Sequence, residues 1–121
     1  MTEMSNPPYI IRNYRPEDFD SYVQLSIEAE KLDPTGRCTR PQALAERLGW
    51  PNYVPGHDLF IAEAAGKVVG YVDVRAELAI GRAVLECLVH PAHRRKGLAT
   101  ELFRYASRRA QELGARVVHI N

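Results

Sequence analysis

The chain has 121 residues, which is enough for one small domain with a single hydrophobic core. Hydrophobic residues make up 45% and charged residues 26% of the chain, as is ordinary for a soluble globular protein. The formal net charge is +1, which argues against a general nucleic-acid binder because such proteins carry a clear basic excess.

Neither a targeting segment nor a metal site is expected from the residue pattern. Residues 1–8 are polar and lack the apolar run of a signal peptide. No apolar run approaches the roughly 18 residues that a membrane span needs, so the cytoplasm is the expected compartment. The two cysteines, Cys38 and Cys87, form no C-x-x-C or metal-ligand pattern, and Cys87 is expected to be a small core residue.

The first half of the chain predicts a polar leader, a strand and two helices. Residues 9–12 favour a strand. Proline followed by two acids marks the start of a helix over about residues 16–31. Thr39 and Gln42 have the spacing of a capping box, which predicts a second helix ending at Gly49.

The second half predicts four strands and one helix. A loop rich in proline and aromatic residues covers residues 50–56, and the strands that follow it are joined by a hairpin turn at Gly66. Gly70 predicts a bulge or a close contact inside the second of these strands. The predicted strands are residues 59–64, 68–74, 84–89 and 116–120, with a polar connection over 75–81 and a helix over 97–113.

The predicted element order is β-α-α-β-β-β-α-β. Three successive strands joined by hairpins favour an antiparallel meander, and the last β-α-β unit favours a right-handed parallel crossover. The fold class is therefore α/β in the broad sense, or α+β, with a mixed and mostly antiparallel sheet.

The predicted helix over 97–113 has an unusual start. A helix leaves its first four N–H groups without partners, and Ser, Thr, Asp or Asn usually caps them. Residues 94–97 are instead Arg-Arg-Lys-Gly, which place three cations at the positive end of the helix dipole. A bound phosphate would accept the N–H groups and neutralise the cations, while Gly97 and the small Ala99 would let it approach. The alternative is a solvated basic turn.

Residues 94–99, Arg-Arg-Lys-Gly-Leu-Ala, are similar to the Arg/Gln-x-x-Gly-x-Gly/Ala signature of the GNAT N-acetyltransferase superfamily. The preceding Leu-Val-His-Pro and the following helix resemble the neighbouring elements of that family. The resemblance implies a GNAT-like acyl-CoA N-acyltransferase fold in which the turn holds the pyrophosphate of acetyl-CoA. The residues that it assigns to this co-substrate are Leu88, Val89, Arg94, Arg95, Lys96, Gly97, Leu98, Ala99 and Thr100.

The resemblance also implies direct acetyl transfer from acetyl-CoA to a primary amine, on a small molecule or a peptide. Backbone N–H groups of Leu88 and Val89 would stabilise the developing oxyanion. Glu86 is the candidate general base, since a buried carboxylate with a raised pKa can accept a proton. The alternatives for Glu86 are a salt bridge to Arg82 or to another arginine, or a solvent-facing strand edge. His90 and His93 are weaker candidates.

The resemblance covers about the first two thirds of a GNAT domain, which normally continues with a helix and two strands. That helix carries the tyrosine that protonates the leaving thiolate in many members. We therefore expect residues 1–121 to form a single GNAT-like domain that is the N-terminal portion of a longer domain or tandem protein. Its last strand would pair with a second copy or with a second GNAT domain.

Two other functions stay open at this point. The domain could be a non-catalytic module that binds acetyl-CoA or another protein, as the degenerate half of a tandem protein. The basic turn could also contact nucleic acid, but the near-zero net charge counts against this. In the resembled family, the region around the first two helices helps to form the acceptor pocket, a role that the aromatic loop over 50–56 would fit.

Overall fold

The computed structural model describes residues 9–120, in which one five-stranded sheet separates two groups of helices. The leader predicted over residues 1–8 lies outside this range. The strands are β1 (Tyr9–Asn13), β2 (Leu59–Ala64), β3 (Lys67–Glu77), β4 (Arg82–Val89) and β5 (Val117–Ile120). The helices are α1 (Phe19–Leu32), α2 (Pro41–Leu48), α3 (Pro55–Asp58) and α4 (Leu98–Glu112).

The sheet confirms the predicted topology. The strand order is β1-β2-β3-β4-β5, with antiparallel pairing through β4 and parallel pairing between β4 and β5. Helix α4 makes the crossover between the two parallel strands. The α+β class and the GNAT-like arrangement are thus both present.

The connection predicted over 75–81 is shorter than expected. Strand β3 continues to Glu77 and pairs there with Arg82, the first residue of β4. A short 3₁₀ turn, Leu78–Ile80, and Gly81 with a φ of +69° close the hairpin. The strand therefore extends three residues beyond its predicted end at Val74, because backbone pairing does not depend on the polarity of the side chains.

Both helices at the start of the chain begin later than predicted. Pro16–Asp18 forms a 3₁₀ turn, and α1 starts at Phe19. Helix α2 starts at Pro41 with Arg40 at its N-cap and no side-chain cap, so the predicted capping box of Thr39 and Gln42 is wrong. Proline at the first helical position places the helix start two residues after Thr39, which removes Thr39 from the capping position.

Each face of the sheet packs against its own helices. Helix α4 buries four small or aliphatic side chains against one face, namely Leu98, Leu102, Ala106 and Ala110. On the other face, Tyr22 of α1 and Leu44 of α2 pack against Tyr71 of β3. Since successive strand residues point to opposite faces, Asp73 and Arg75 share the α1/α2 face with Tyr71.

Gly70 shows both features that the sequence predicts. The register of β2 and β3 shifts by one residue beside it, between Ala62 and Glu63. A Cβ at Gly70 would lie 3.1 Å from the carbonyl oxygen of Leu88 and 3.4 Å from the side chain of Leu102. The glycine therefore lets β3 and β4 approach each other beneath α4.

Strand β5 lies at the edge of the sheet formed by residues 9–120. Its Val117 and Ile120 side chains are 52% and 64% exposed. Pairing of this strand with another chain or domain stays a prediction. Among the described residues, no helix has the length and apolar character to span a membrane.

Candidate functional site

The segment between β4 and α4 forms the predicted basic turn. Gly97 stands at the N-cap of α4 with a φ of +80°, and Arg95 has a φ of +63°. Within residues 9–120, no side chain makes a capping hydrogen bond to the start of α4, as the sequence predicts. The N–H groups of the first helical turn, over Leu98–Thr100, are therefore left for an outside acceptor.

This turn is open enough for an anion. Arg95, Lys96, Gly97, Ala99 and Thr100 are all exposed. A Cβ built on Gly97 would meet nothing within 4 Å, so the space in front of the helix start is free. The described residues here consequently fit a phosphate group in shape, charge and hydrogen-bonding capacity.

Arg94 differs from its neighbours because its side chain is already engaged. Its Nη1 lies 2.5 Å from Oδ2 of Asp33, just beyond α1, and its Nε donates to the carbonyl oxygen of Val89 at 3.1 Å. The guanidinium thus ties the turn to α1 and to the end of β4. Two of its nitrogens are thus engaged within the protein, and a contact of Arg94 with a phosphate stays a prediction.

The backbone directions at the end of β4 separate Leu88 from Val89. The N–H of His90 donates to the carbonyl oxygen of Val69 in β3 at 2.9 Å. Backbone groups alternate in direction along a strand, so Leu88 also directs its N–H toward β3, whereas Val89 directs its N–H away from it. Of these two residues, only Val89 therefore directs its N–H to the side of β4 opposite to β3.

Glu86 forms ion pairs with arginines from distant parts of the chain. Its Oε1 lies 2.5 Å from Nη2 of Arg47 in α2, and its Oε2 lies 3.2 Å from Nη1 of Arg37 in the α1–α2 loop. Of the alternatives weighed from the sequence, a bridge to an arginine elsewhere is therefore the one observed. Arg82 pairs with Glu77 instead.

Asp73 is a second carboxylate at this place, and the sequence analysis missed it. It lies directly opposite Glu86 in the pairing of β3 and β4, and only 3% of its side chain is exposed. Burial raises the pKa of Asp73 to about 6. Its Oδ2 accepts from Arg47 at 3.2 Å, while its Oδ1 has no hydrogen-bond partner among the described residues.

The two histidines near the turn hold structural contacts. Nε2 of His90 lies 3.2 Å from Oε1 of Glu28 in α1, and Nδ1 of His93 lies 3.0 Å from the hydroxyl of Tyr9 in β1. Burial lowers the pKa of His93, as do nearby positive charges. These contacts tie the segment after β4 to α1 and to β1.

A cavity of about 480 Å³ is lined by Arg75, whose side chain lies 3.7 Å from each of the two carboxylates. The aromatic loop after α2 forms one wall. The other wall consists of the last residues of β3, the first residues of β4 and one residue of β5. Its lining includes Trp50, Tyr53, Arg75, Glu77, Val84 and His119. The loop that the sequence assigned to an acceptor pocket therefore does line a cavity.

Comparison with known proteins gives the same fold. A family model described as acetyltransferase (GNAT) family matches residues 20–121. Over 52 residues, or 41% of this chain, the sequence is 50% identical to mycothiol acetyltransferase of Saccharomonospora viridis, and the match covers 17% of that protein.

Solved structures extend the likeness to nearly the whole chain. A GCN5-related N-acetyltransferase from Sphaerobacter thermophilus superposes with a TM-score of 0.73 at 21% identity, over 89% of this chain and 34% of that one. A GNAT family acetyltransferase from Brucella melitensis in complex with acetyl-CoA gives 0.72 at 22% identity, over 95% and 76%. The chain thus spans only a small part of the mycothiol acetyltransferase and about a third of the Sphaerobacter chain. Since the family model matches most of the sequence, the chain belongs to the GNAT acetyltransferase family.

Proposed function

We propose that this domain transfers the acetyl group of acetyl-CoA to a primary amine by direct attack of the amine on the thioester. The observation that carries the proposal is the open, uncapped start of α4 behind the basic turn. An exposed helix start with adjacent cations supplies what a pyrophosphate requires, and it stands where the family signature lies.

The turn would bind the pyrophosphate mainly through its backbone. The N–H groups of residues 95–100 would donate to phosphate oxygens, and the side chains of Arg95 and Lys96 would add charge-assisted contacts. Arg94 would act on this site through its contacts with Asp33 and Val89, which hold the turn in place. It is therefore a positioning residue in this proposal.

The chemistry requires an electrostatic donor and a proton acceptor. Acetyl-CoA, when bound, supplies the activated acetyl group. The N–H of Val89 would donate to the acetyl oxygen as negative charge develops on it, and Leu88 would contribute through packing. A bond forms between the amine nitrogen and the carbonyl carbon, the C–S bond breaks, and the thiolate leaves with its electron pair.

Glu86 is the residue that we assign to accept the proton of the attacking amine. It is the more exposed carboxylate of the pair, at 16% against 3% for Asp73. Arg47 contacts both carboxylates and would hold Glu86 in position. A water molecule could relay the proton where the amine does not reach the carboxylate directly.

Calorimetry with matched glycine variants tests the proposal. Gly97 and Gly114 both have positive φ values, +80° and +91°, and a Cβ on either meets nothing within 4 Å. Gly97→Ala and Gly114→Ala should therefore cost similar stability, about 1 kcal/mol each. Only Gly97→Ala should weaken the binding of CoA and acetyl-CoA. We expect its dissociation constants to rise at least about tenfold, which corresponds to about 1.4 kcal/mol of binding free energy. Absence of CoA binding by the unmodified protein, or equal weakening in both variants, would rule the site out.

A non-catalytic acetyl-CoA-binding module is the second candidate. The ion pairs of Glu86 with Arg47 and Arg37 favour it, because a carboxylate with both oxygens engaged is a poor proton acceptor. Release of free CoA thiol in the presence of amine acceptors separates the two functions. Thiol release that depends on acceptor and falls in Glu86→Gln supports catalysis, whereas binding without release supports the module.

A further inference from the structure

We propose that the acceptor is an amine that also carries a carboxylate, of the amino-acid class, and that Arg75 binds this carboxylate in the cavity beside Trp50. The inference rests on the acetyltransferase function proposed above and specifies its second substrate. It begins from Arg75, the one guanidinium of the carboxylate cluster for which the described residues provide no hydrogen bond.

Arg75 is held in place without being hydrogen-bonded. Its Nε lies 3.7 Å from Oδ1 of Asp73, and its Nη2 lies 3.7 Å from Oε1 of Glu86. Both distances exceed the range of a hydrogen bond. The Nε atom is buried and has no partner among the described residues, although the side chain as a whole is 29% exposed and lines the cavity.

The charges of the cluster to which Arg75 belongs leave one positive charge unmatched. Arg37, Arg47 and Arg75 face the two carboxylates Asp73 and Glu86, so three positive charges meet two negative ones. Arg47 and Arg37 approach the carboxylates at 3.2 Å or less, whereas Arg75 stays 3.7 Å from both, so Arg75 is the cation with the weakest pairing.

The rest of the cavity rim does not cancel this charge. Arg82 forms an ion pair with Glu77, and His119 adds no negative charge. A guanidinium with free donors matches a carboxylate in planar, bidentate geometry. A polycationic amine would instead meet uncompensated positive charge.

Trp50 prepares Arg75 for this role. Its ring centroid lies 5.3 Å from the Arg75 guanidinium carbon, within the range of a cation–π contact that favours this position of the guanidinium. A restricted guanidinium loses less freedom when it binds a ligand. The short distance between Arg75 and Glu86 also requires the amine and the carboxylate of the acceptor to lie close together, as they do in an amino acid.

The single tryptophan of the chain gives a direct readout, because Trp50 is that residue and lines the cavity. The purified protein would be titrated with L-alanine, L-methionine and L-phenylalanine, each beside its α-carboxamide, and with spermidine. We expect a saturable change in tryptophan fluorescence with the amino acids. The amides should bind with at least tenfold lower affinity, and spermidine should cause no change. The same panel would be used in the thiol-release assay with acetyl-CoA.

Arginine variants identify the residue responsible. Arg75→Gln should reduce the preference for carboxylate over amide to less than twofold, and Arg75→Lys should retain part of it because the charge persists without the planar fork. Arg108→Gln, an exposed position near the far end of α4, should change nothing. Circular dichroism and thermal unfolding would verify that each variant is folded.

The outcomes separate this inference from the function on which it rests. If acetyl-CoA binds and amines are acetylated, but the amides or spermidine serve as well as the amino acids, the acceptor class is wrong while the function stands. The acceptor class is also wrong if no amino acid of the panel gives a response. If Arg75→Gln keeps the full preference for carboxylate over amide, Arg75 does not bind the acceptor and serves only as a partner of Asp73. Failure of acetyl-CoA to bind overturns the proposed function itself.

Discussion

Asp73 and Glu86 lie directly opposite each other on neighbouring strands, on the sheet face that α1 and α2 cover. Two like charges in this relationship repel, which would weaken the pairing of β3 and β4. Nη2 of Arg47 lies 3.2 Å from the first carboxylate and 2.5 Å from the second. One guanidinium thus compensates both charges and connects α2 to the centre of the sheet.

Removing this guanidinium should destabilise the fold. Arg47→Met keeps much of the side-chain volume but leaves Asp73 buried beside Glu86 with weaker compensation, for which we expect a loss of about 3 kcal/mol in the free energy of unfolding. Urea denaturation followed by circular dichroism measures it. Glu46→Gln, an exposed neighbour on the same helix, is the control and should be neutral. A change of less than about 0.5 kcal/mol in Arg47→Met, the range of ordinary surface substitutions, would contradict the assignment.

The pH dependence of stability should carry the signature of Asp73. Burial raises the pKa of Asp73 from its ordinary value of 3.8, which we take for the unfolded chain, to about 6 in the folded chain. Between these two pH values the folded state therefore binds more protons than the unfolded state. Stability therefore falls as pH rises from 4 to 7, by on the order of 3 kcal/mol from this group alone.

Asp73→Asn isolates that contribution from the other titrating groups. The asparagine side chain does not titrate, so the variant lacks this loss of stability. Its free energy of unfolding, relative to that of the wild type, should therefore increase as pH rises from 4 to 7. Chemical denaturation at half-unit pH intervals gives the difference curve. A flat difference curve would show that Asp73 is ionised at the same pH in both states.

The sequence predicted the elements well because their signals are local. Periodicity placed the strands, and the order of the hairpins and the single crossover then fixed the sheet. The missing cap before α4 was equally visible, since capping depends on residues adjacent in the chain. The capping box at Thr39 failed because a competing local signal, Pro41, sets the helix start.

The carboxylate cluster could not be predicted because its partners are distant in sequence. Asp73 stands in an apolar strand, and its partner Arg47 comes from a helix 26 residues earlier. The pairing of Arg94 with Asp33 joins residues 61 apart. A motif specifies residue types at a turn, but tertiary packing decides where their side chains point.

Gly70 should tolerate no side chain. Its Cβ would lie 3.1 Å from the backbone oxygen of Leu88, and backbone cannot move aside as a flexible side chain can. We expect Gly70→Ala to lower the free energy of unfolding by about 1–3 kcal/mol, as overpacking does. Gly56→Ala is the matched control, because a Cβ there meets nothing within 4 Å and its φ is not positive. Equal stability of the two variants in urea would show that β3 and β4 have room to separate.

The two cysteines should differ sharply in reactivity. Cys38 is exposed, and hydrogen bonds with the backbone and side chain of Arg40 lower its pKa. Burial raises the pKa of Cys87 to about 11. Since the thiolate is the reactive form, Cys87 at pH 8 should react with iodoacetamide more than about 100-fold more slowly than Cys38.

Mass spectrometry of the time course identifies the labelled cysteine. Cys38→Ser should abolish the fast phase of labelling, and Cys87→Ser should leave it unchanged. In about 8 M urea, which unfolds ordinary domains, both thiols should react at similar rates. Fast labelling of Cys87 in the native protein would mean that β4 opens readily. Because Cys87 directly follows Glu86 on that strand, such opening would also separate Glu86 from Arg47, so the labelling rate reports on how rigidly the proposed base is held.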